Sequence, residues 1–173
     1  MADPPALEIL KVLEALQSKV WEGRVWRHMF GDNHPERRNQ RGARWNPAGV
    51  PAIYCSVERA TAIAEGDYVV AVQSLRPAAK RTLYQLDVHL DKVLDLTGRA
   101  VLRELHIGER ELSDVDHAVC QNIGGAVEWL EHDGLLVPSA RHEGINLVIF
   151  PRKQRPAANF DIVDSEIIAE DSR

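Results

Sequence analysis

Residues 41–56 read RGARWNPAGVPAIYCS, and Arg44 is the first group in the chain whose surroundings suggest chemistry. It is flanked by Gly42 and by Asn46-Pro47, and the chain enters a short apolar strand eight residues later, which tethers the guanidinium near the core. A guanidinium held in this way suits bidentate binding of phosphate oxygens, and equally a structural ion pair with a carboxylate. Tyr54 lies between Ile53 and Cys55, so strand alternation sends its ring away from both, either to line a pocket or to fill one face of a sheet. The run LLVPSAR ends a strand at Ser139 and Arg141, where polar groups converge on a site or where the serine caps a turn. Together these residues outline a cleft suited to an anion, without defining a reaction.

Several familiar chemistries have no motif here. The seven histidines are scattered without HExxH, CxxC or a two-His-plus-carboxylate spacing, so no metal centre is expected. There is no GxSxG elbow, P-loop or dinucleotide fingerprint, and the IGG at 123–125 reads as a helix break. Of three basic clusters, Arg76, Lys80 and Arg81, and Arg152, Lys153 and Arg155, read as solvated loops. The third cluster, Arg37, Arg38, Arg41 and Arg44, differs because a buried strand follows it.

The elements that must position these groups fit one domain. A chain of 173 residues, 45% hydrophobic and 27% charged, is ordinary for a globular protein with its own core. A net charge of −5 and a pI of about 5.8 argue against a surface that tracks a nucleic-acid backbone, so any anion site is local. Cys55 and Cys120 sit in apolar runs and read as buried free thiols of a reducing compartment, the cytoplasm. The segment MADPPALEILKVLEAL has early acidic residues and no uninterrupted apolar stretch, so neither a signal peptide nor a membrane span is expected.

Asp3 is placed to cap an amphipathic helix carrying Leu10, Leu13, Leu16 and Val20, running to about residue 21. Residues 24–30 form a strand, and GDNHPERRNQRGAR a long polar loop of the kind that carries function. Ala52–Cys55 is a short buried strand, after which Ser56 caps a helix with Ala60, Ile63 and Ala64 on one face, ending near Gly66. Glu65 then falls in the last turn, where the helix dipole disfavours a carboxylate. LYQLDVHL alternates cleanly as a strand, which KVLDLT extends or follows with another. TGRAVLREL is a short helix, 113–132 a helix or helix pair broken at Gly124 and Gly125, and LLVP, NLVIF and FDIV are strands. The prediction is an α+β single compact domain, mainly antiparallel sheets with flanking helices.

The segments GARWNPAGVPAIYCS, ATAIAE, CQNIGGAVEWLEHDGLLVPSAR and NLVIF resemble the RES-domain family, the toxins of RES-Xre toxin–antitoxin modules. The resemblance covers roughly residues 24–151, with 1–22 as an amino-terminal helix and 152–173 as a carboxyl-terminal strand and tail of the same domain. Position by position, the family's arginine falls on Arg44, its tyrosine on Tyr54, its glutamate on Glu65 and its serine on Ser139, with Asn146 in the matching final strand. Ala43 stands where the family usually has a second glycine, and Gly66-Asp67 follows Glu65 where a continued apolar helix is expected.

The resemblance implies an ADP-ribosyltransferase-like fold and consumption of NAD+ as substrate, with no separate cofactor. The bond cut would be that between nicotinamide and ribose, with phosphate, water or a protein side chain as acceptor. Arg44 and Glu65 would be catalytic, and Arg44, Tyr54, Ser139 and Asn146 would bind the substrate. It implies a partner as well, a cognate Xre-type helix-turn-helix antitoxin that binds DNA for the complex, and it allows a homodimer of this chain within that complex. The residues alone leave two competing classes: a non-catalytic nucleotide or phospholigand-binding module, and a ribonuclease-type toxin using the basic loop 36–44 with His34.

Overall fold

The computed structural model describes residues 4–73, 80–152 and 160–169. Asp3, Arg76, Lys153 and Arg155, named above as a cap and as parts of basic clusters, lie outside the described residues. In chain order the elements are α1 (Leu7–Ala15), β1 (Lys19–Phe30), β2 (Ile53–Ser56), α2 (Arg59–Val72), β3 (Arg81–Asp95), α3 (Arg99–Glu104), α4 (Glu109–Ser113), α5 (Ala118–Trp129), β4 (Gly134–Pro138), β5 (Ile145–Ile149) and β6 (Phe160–Ala169).

The α+β expectation holds, with a different sheet arrangement. One six-stranded sheet has the order β1-β2-β5-β4-β3-β6, and β1 also pairs with β3, so five strands close into a barrel. Pairing is antiparallel except between β3 and β4, which run parallel through Val93–Asp95 and Gly134–Leu136. Strand β3 can serve three neighbours because it is fifteen residues long: KVLDLT extends LYQLDVHL, and β6 and β4 share one of its edges in succession.

Two cores follow from strand alternation. Val25, Ile53, Cys55, Leu86, Val88, Leu90, Val93, Leu136, Leu147 and Ile149, drawn from all five barrel strands, pack together. The opposite faces of β4 and β5 present Leu135, Val137 and Val148 to Leu13 of α1, Leu102 of α3, and Ile123, Ala126 and Val127 of α5. Trp45 joins this second core from the long loop. Each fully buried leucine or isoleucine stabilises the fold by about 2 kcal/mol.

Three helices differ from the sequence expectation. Helix α1 stops at Ala15, because from Lys19 the chain pairs with β3 (Lys19↔Val93, Trp21↔Leu90), and strand pairing overrides the helical spacing of Val20. Helix α2 does not end at Gly66 but runs on to Val72. A Cβ on Gly66 would lie 2.5 Å from the His28 ring, so this glycine permits α2 to cross β1 at close range. The inward face of α2 is Thr61, Ala62 and Gly66, and Ala60 is exposed. Helix α5 passes unbroken through Gly124 and Gly125. The position of a Cβ on Gly124 is 1.7 Å from the Trp45 carbonyl oxygen, so the glycine lets the helix rest directly on the backbone of the loop that carries Arg44.

Candidate active site

The site begins with the loop ahead of β2. Ala43 N–H donates to the Asn46 carbonyl (3.0 Å), closing a tight turn around Arg44. Asn46 is fully buried and donates from Nδ2 to the carbonyls of Asn39 (3.2 Å) and Val50 (2.8 Å). Gln121 of α5 donates to the Ala43 carbonyl at 2.9 Å, and Trp45 is buried against α5. Arg44 thus stands between anchored neighbours.

Tyr54 completes the anchoring from beneath. Its hydroxyl accepts from Trp45 N–H (2.9 Å) and donates to Asn46 Oδ1 (2.7 Å). As alternation required, Ile53 and Cys55 belong to the barrel core while the Tyr54 ring packs on the opposite one. Burial pushes its phenol well above the ordinary value. Its contribution to the cleft therefore runs through the loop it pins. Behind it, the buried Arg27 guanidinium donates to the carbonyls of Tyr54 (2.8 Å) and Arg37 (2.6 Å), a tie that sequence reasoning did not find.

Glu65 projects from the middle of α2 toward the ends of β4 and β5. Its Oε1 accepts from Ser139 Oγ at 2.6 Å and from Asn146 Nδ2 at 2.7 Å. Ser56 does not cap α2. It lies in β2 directly opposite Asn146, and its hydroxyl donates to Asn146 Oδ1 at 2.7 Å, which fixes the amide so that its N–H faces the carboxylate. Glu65, Ser139 and Asn146 thus form one hydrogen-bonded unit, and since both described bonds fall on Oε1, no described residue bonds Oε2.

Arg44 donates through Nη1 to the carbonyls of Glu111 (3.2 Å) and Asp114 (3.1 Å), on α4 and just after it. It makes no ion pair with a carboxylate among the described residues, so the structural salt bridge considered from sequence is not what holds it. Burial lowers its pKa from the ordinary value; Cys120, Glu65 and Tyr68 act against that, and Arg141 adds to it. An arginine remains protonated under such a shift.

Arg141 sits on the turn after β4. Its backbone N–H donates to Ser139 Oγ (3.1 Å), and its guanidinium carbon stacks 3.3 Å from the centre of the Tyr68 ring, one helical turn beyond Glu65. His117, just before α5, faces the same space; burial, then Arg44 and Arg141, hold its pKa below the ordinary value. Neither Tyr68 nor His117 was singled out from sequence. Tyr68 was hidden because α2 was expected to end two residues before it.

The basic clusters separate. Arg37, Arg38 and Arg41 are exposed on the loop, while Arg44 is half-buried against the carbonyls of Glu111 and Asp114. Arg81 is not a solvated loop residue: it lies in β3 and donates to His28 Nε2 (2.9 Å) and Asp67 (2.5 Å). Lys80 pairs with Asp32 at 2.8 Å, and Arg152 donates to the Glu128 carbonyl at 3.2 Å. Both cysteines are free and buried, and burial pushes each thiol up to about 11. Among the described residues no helix is long and apolar enough to cross a membrane, and no cluster of three or more His, Cys, Asp or Glu side chains is arranged to hold a metal ion.

This arrangement can bind anions through two guanidiniums and present a fixed carboxylate beside them. The family model described as the RES domain matches residues 20–169. Proteins named NAD(+) phosphorylase MbcT, from Mycobacterium tuberculosis and Mycobacterium bovis, are 31% identical to this chain over 125 residues. That alignment covers 66% of this chain and 64% of each of those proteins, just under two thirds of their length. The crystal structure of the M. tuberculosis MbcT–MbcA toxin–antitoxin complex contains a chain of the same fold, with a TM-score of 0.84 at 23% identity, over 95% of this chain and 93% of that one.

Proposed function

The chain belongs to the RES domain family, and from that premise we propose that it is the toxin of a toxin–antitoxin pair and consumes NAD+ by breaking the nicotinamide–ribose bond, with inorganic phosphate as acceptor. The observation that carries this reading is the Glu65 carboxylate, held by Ser139 and Asn146, with the Arg141 backbone N–H bonded to the same Ser139 and Arg44 within electrostatic reach of both Glu65 and Arg141. The name NAD(+) phosphorylase borne by the relatives supports phosphate over water or a protein side chain as acceptor.

A single carboxylate suffices for this bond. Ordinary glycosides need a second carboxyl group to protonate an alkoxide leaving group. Nicotinamide leaves NAD+ with the electron pair of the broken C–N bond, which discharges the pyridinium, so it departs neutral and needs no acid. A phosphate oxygen then forms the new bond to the anomeric carbon, giving nicotinamide and ADP-ribose 1-phosphate.

The burden on the protein is to stabilise the oxocarbenium-like centre. Glu65 does so electrostatically and holds the ribose hydroxyls through its unbonded oxygen. Arg44 grips the pyrophosphate, with Tyr54 as the positioning residue beneath it. Ser139 and Asn146 orient the carboxylate, and the second N–H of the Asn146 amide is left for a ribose oxygen. The likeness to ADP-ribosyltransferases in architecture belongs to the same reading, as does a cognate antitoxin that blocks the cleft.

Purified protein incubated with NAD+ and phosphate tests the reading. Nicotinamide release with formation of ADP-ribose 1-phosphate is the expected result. Expression in cells should arrest growth and deplete NAD+, and Arg44→Ala should relieve both. A folded wild-type chain that binds NAD+ and never consumes it would make this a binding module. RNA cleavage that survives Arg44→Ala and Glu65→Gln but needs His34 would make it a nuclease.

A further inference from the structure

We propose that Arg141, stacked on Tyr68, is the subsite for the acceptor phosphate, separate from the grip of Arg44 on the dinucleotide. The inference rests on the NAD+-consuming reading above and adds a residue-level reason for the choice of acceptor.

Phosphorolysis places two anions in one cleft. The pyrophosphate of NAD+ lies several bonds from the anomeric carbon, whereas the acceptor must touch that carbon. The two guanidiniums of the site differ in the same sense. Arg44 is anchored to the far wall, through the carbonyls of Glu111 and Asp114. Arg141 stands on the Glu65 side: its backbone N–H donates to Ser139 Oγ, which donates to Glu65, and its guanidinium lies over a ring one turn from Glu65 on the same helix. Arg141, tied to the carboxylate through Ser139, is therefore the cation positioned for the attacking anion.

Arg141 is also available. Among the described residues its guanidinium hydrogen bonds to no acceptor and pairs with no carboxylate, while other half-buried arginines, Arg81 and Arg152, are hydrogen-bonded. Its guanidinium is held from one face, with the central carbon 3.3 Å from the centre of the Tyr68 ring, so its N–H groups are left for an acceptor beyond the ring edge. A stacked, unpaired fork is pre-organised for a tetrahedral oxyanion. Arg141 and Glu65 both act electrostatically on Arg44, which agrees with the three sharing one space. Without phosphate, two cations share one carboxylate there, and an incoming dianion relieves their repulsion. Water gains nothing comparable, so the same pair favours phosphorolysis over hydrolysis.

The test measures initial rates of nicotinamide release with NAD+ and inorganic phosphate varied independently, together with the ratio of ADP-ribose 1-phosphate to ADP-ribose by mass spectrometry. Arg141→Gln should raise the KM for phosphate about 10- to 100-fold, the loss expected for a charge-assisted bond, and shift product toward ADP-ribose. The KM for NAD+ should move far less. Tyr68→Leu, which removes the stacking surface, should shift both phosphate readouts in the same direction, and Tyr68→Phe should rescue them. If Arg141→Gln does not fold, Arg141→Lys serves, with an intermediate rise in phosphate KM expected. The proposal is overturned if these variants raise the KM for NAD+ and leave phosphate saturation and product ratio unchanged. It is also overturned if wild-type turnover is independent of phosphate, a result that leaves NAD+ cleavage standing. Absence of any nicotinamide release from folded wild type would instead refute the underlying reading.

Discussion

Replacing Gly124 with alanine tests whether α5 buttresses the Arg44 loop. A Cβ there would lie 1.7 Å from the Trp45 carbonyl oxygen, and real Cβ atoms essentially never approach within 3.0 Å, so helix and loop must part by about 1.3 Å. Alanine gains about 1 kcal/mol over glycine in a helix interior. Against that, overpacking costs about 1–3 kcal/mol and occasionally more, and retreat of α5 also loosens Trp45 from Ile123, Ala126 and Val127. A backbone carbonyl cannot rotate aside as a side chain can, which puts the expected cost at the upper end. The net expectation is a destabilisation of about 2 kcal/mol, or a Tm lower by about 4–8 °C. Gly125→Ala provides the contrast: its Cβ would meet Pro47 Cγ at 3.3 Å, so strain and helix propensity nearly cancel and stability should stay within about 1 kcal/mol of wild type. Thermal and urea unfolding of both variants decide stability. Steady-state NAD+ turnover at a temperature where both are folded should fall about 100-fold for Gly124→Ala, as expected for a site group misplaced by about 1 Å. A Gly124→Ala protein as stable and active as Gly125→Ala would refute the close crossing and restore the helix break expected from sequence.

Three further outcomes are expected. Glu65→Gln keeps an oxygen that can accept from Ser139 and Asn146, so the Tm should hardly move while kcat for nicotinamide release falls 100-fold or more, roughly 3 kcal/mol of transition-state stabilisation. Tyr54→Phe removes both hydroxyl bonds and leaves Trp45 N–H without its partner, which should cost about 2 kcal/mol in denaturant unfolding and raise the KM for NAD+ through the loosened Arg44 loop. His28 has its pKa lowered to about 4 by burial and by Arg81, with Asp67 opposing. Being below the unfolded value of about 6.5, it contributes stability that is fully present above pH 6.5 and is lost as pH falls toward 4. That loss is about 2 kcal/mol after discounting for the partly open ring, and stability measured across this window should be visibly flatter for His28→Gln.

What the sequence revealed depended on whether a residue's role was local. Alternation in β3 and the opposite facings of Tyr54 and of Ile53 with Cys55 are period-two facts, legible in eight or fewer residues. The errors came where a distant element decided. Gly66 and the Gly124-Gly125 pair look like punctuation in a local window, but Gly66 and Gly124 are points where another part of the chain passes too close for a Cβ. The end of α1 departs from expectation for the same reason, since Lys19 pairs with Val93 and Trp21 with Leu90 of the distant β3. Closure of the sheet through β1 and β3 was likewise invisible, because nothing in either strand alone names its partner.

The site itself divides along the same line, and the division bears on mechanism. The chemistry-bearing types at Arg44, Glu65 and Ser139 could be named from the resemblance, but the geometry that makes Glu65 useful is a matter of sheet register. Ser56 meets Asn146 only because β2 and β5 pair in the register Ile53↔Ile149 through Ser56↔Asn146, and Val137 flanks Asn146 from the other side. A slip of one residue would turn Asn146 to the opposite face and bring Leu147 to its place. The apolar contacts that fix the register, Leu147 and Ile149 in the barrel core and Val148 in the outer one, therefore also fix the amide that holds the carboxylate. Positioning Glu65 needs no separate ordering step once the barrel has formed, so in the function proposed for it the cost of orienting the carboxylate is met by folding, before any substrate arrives.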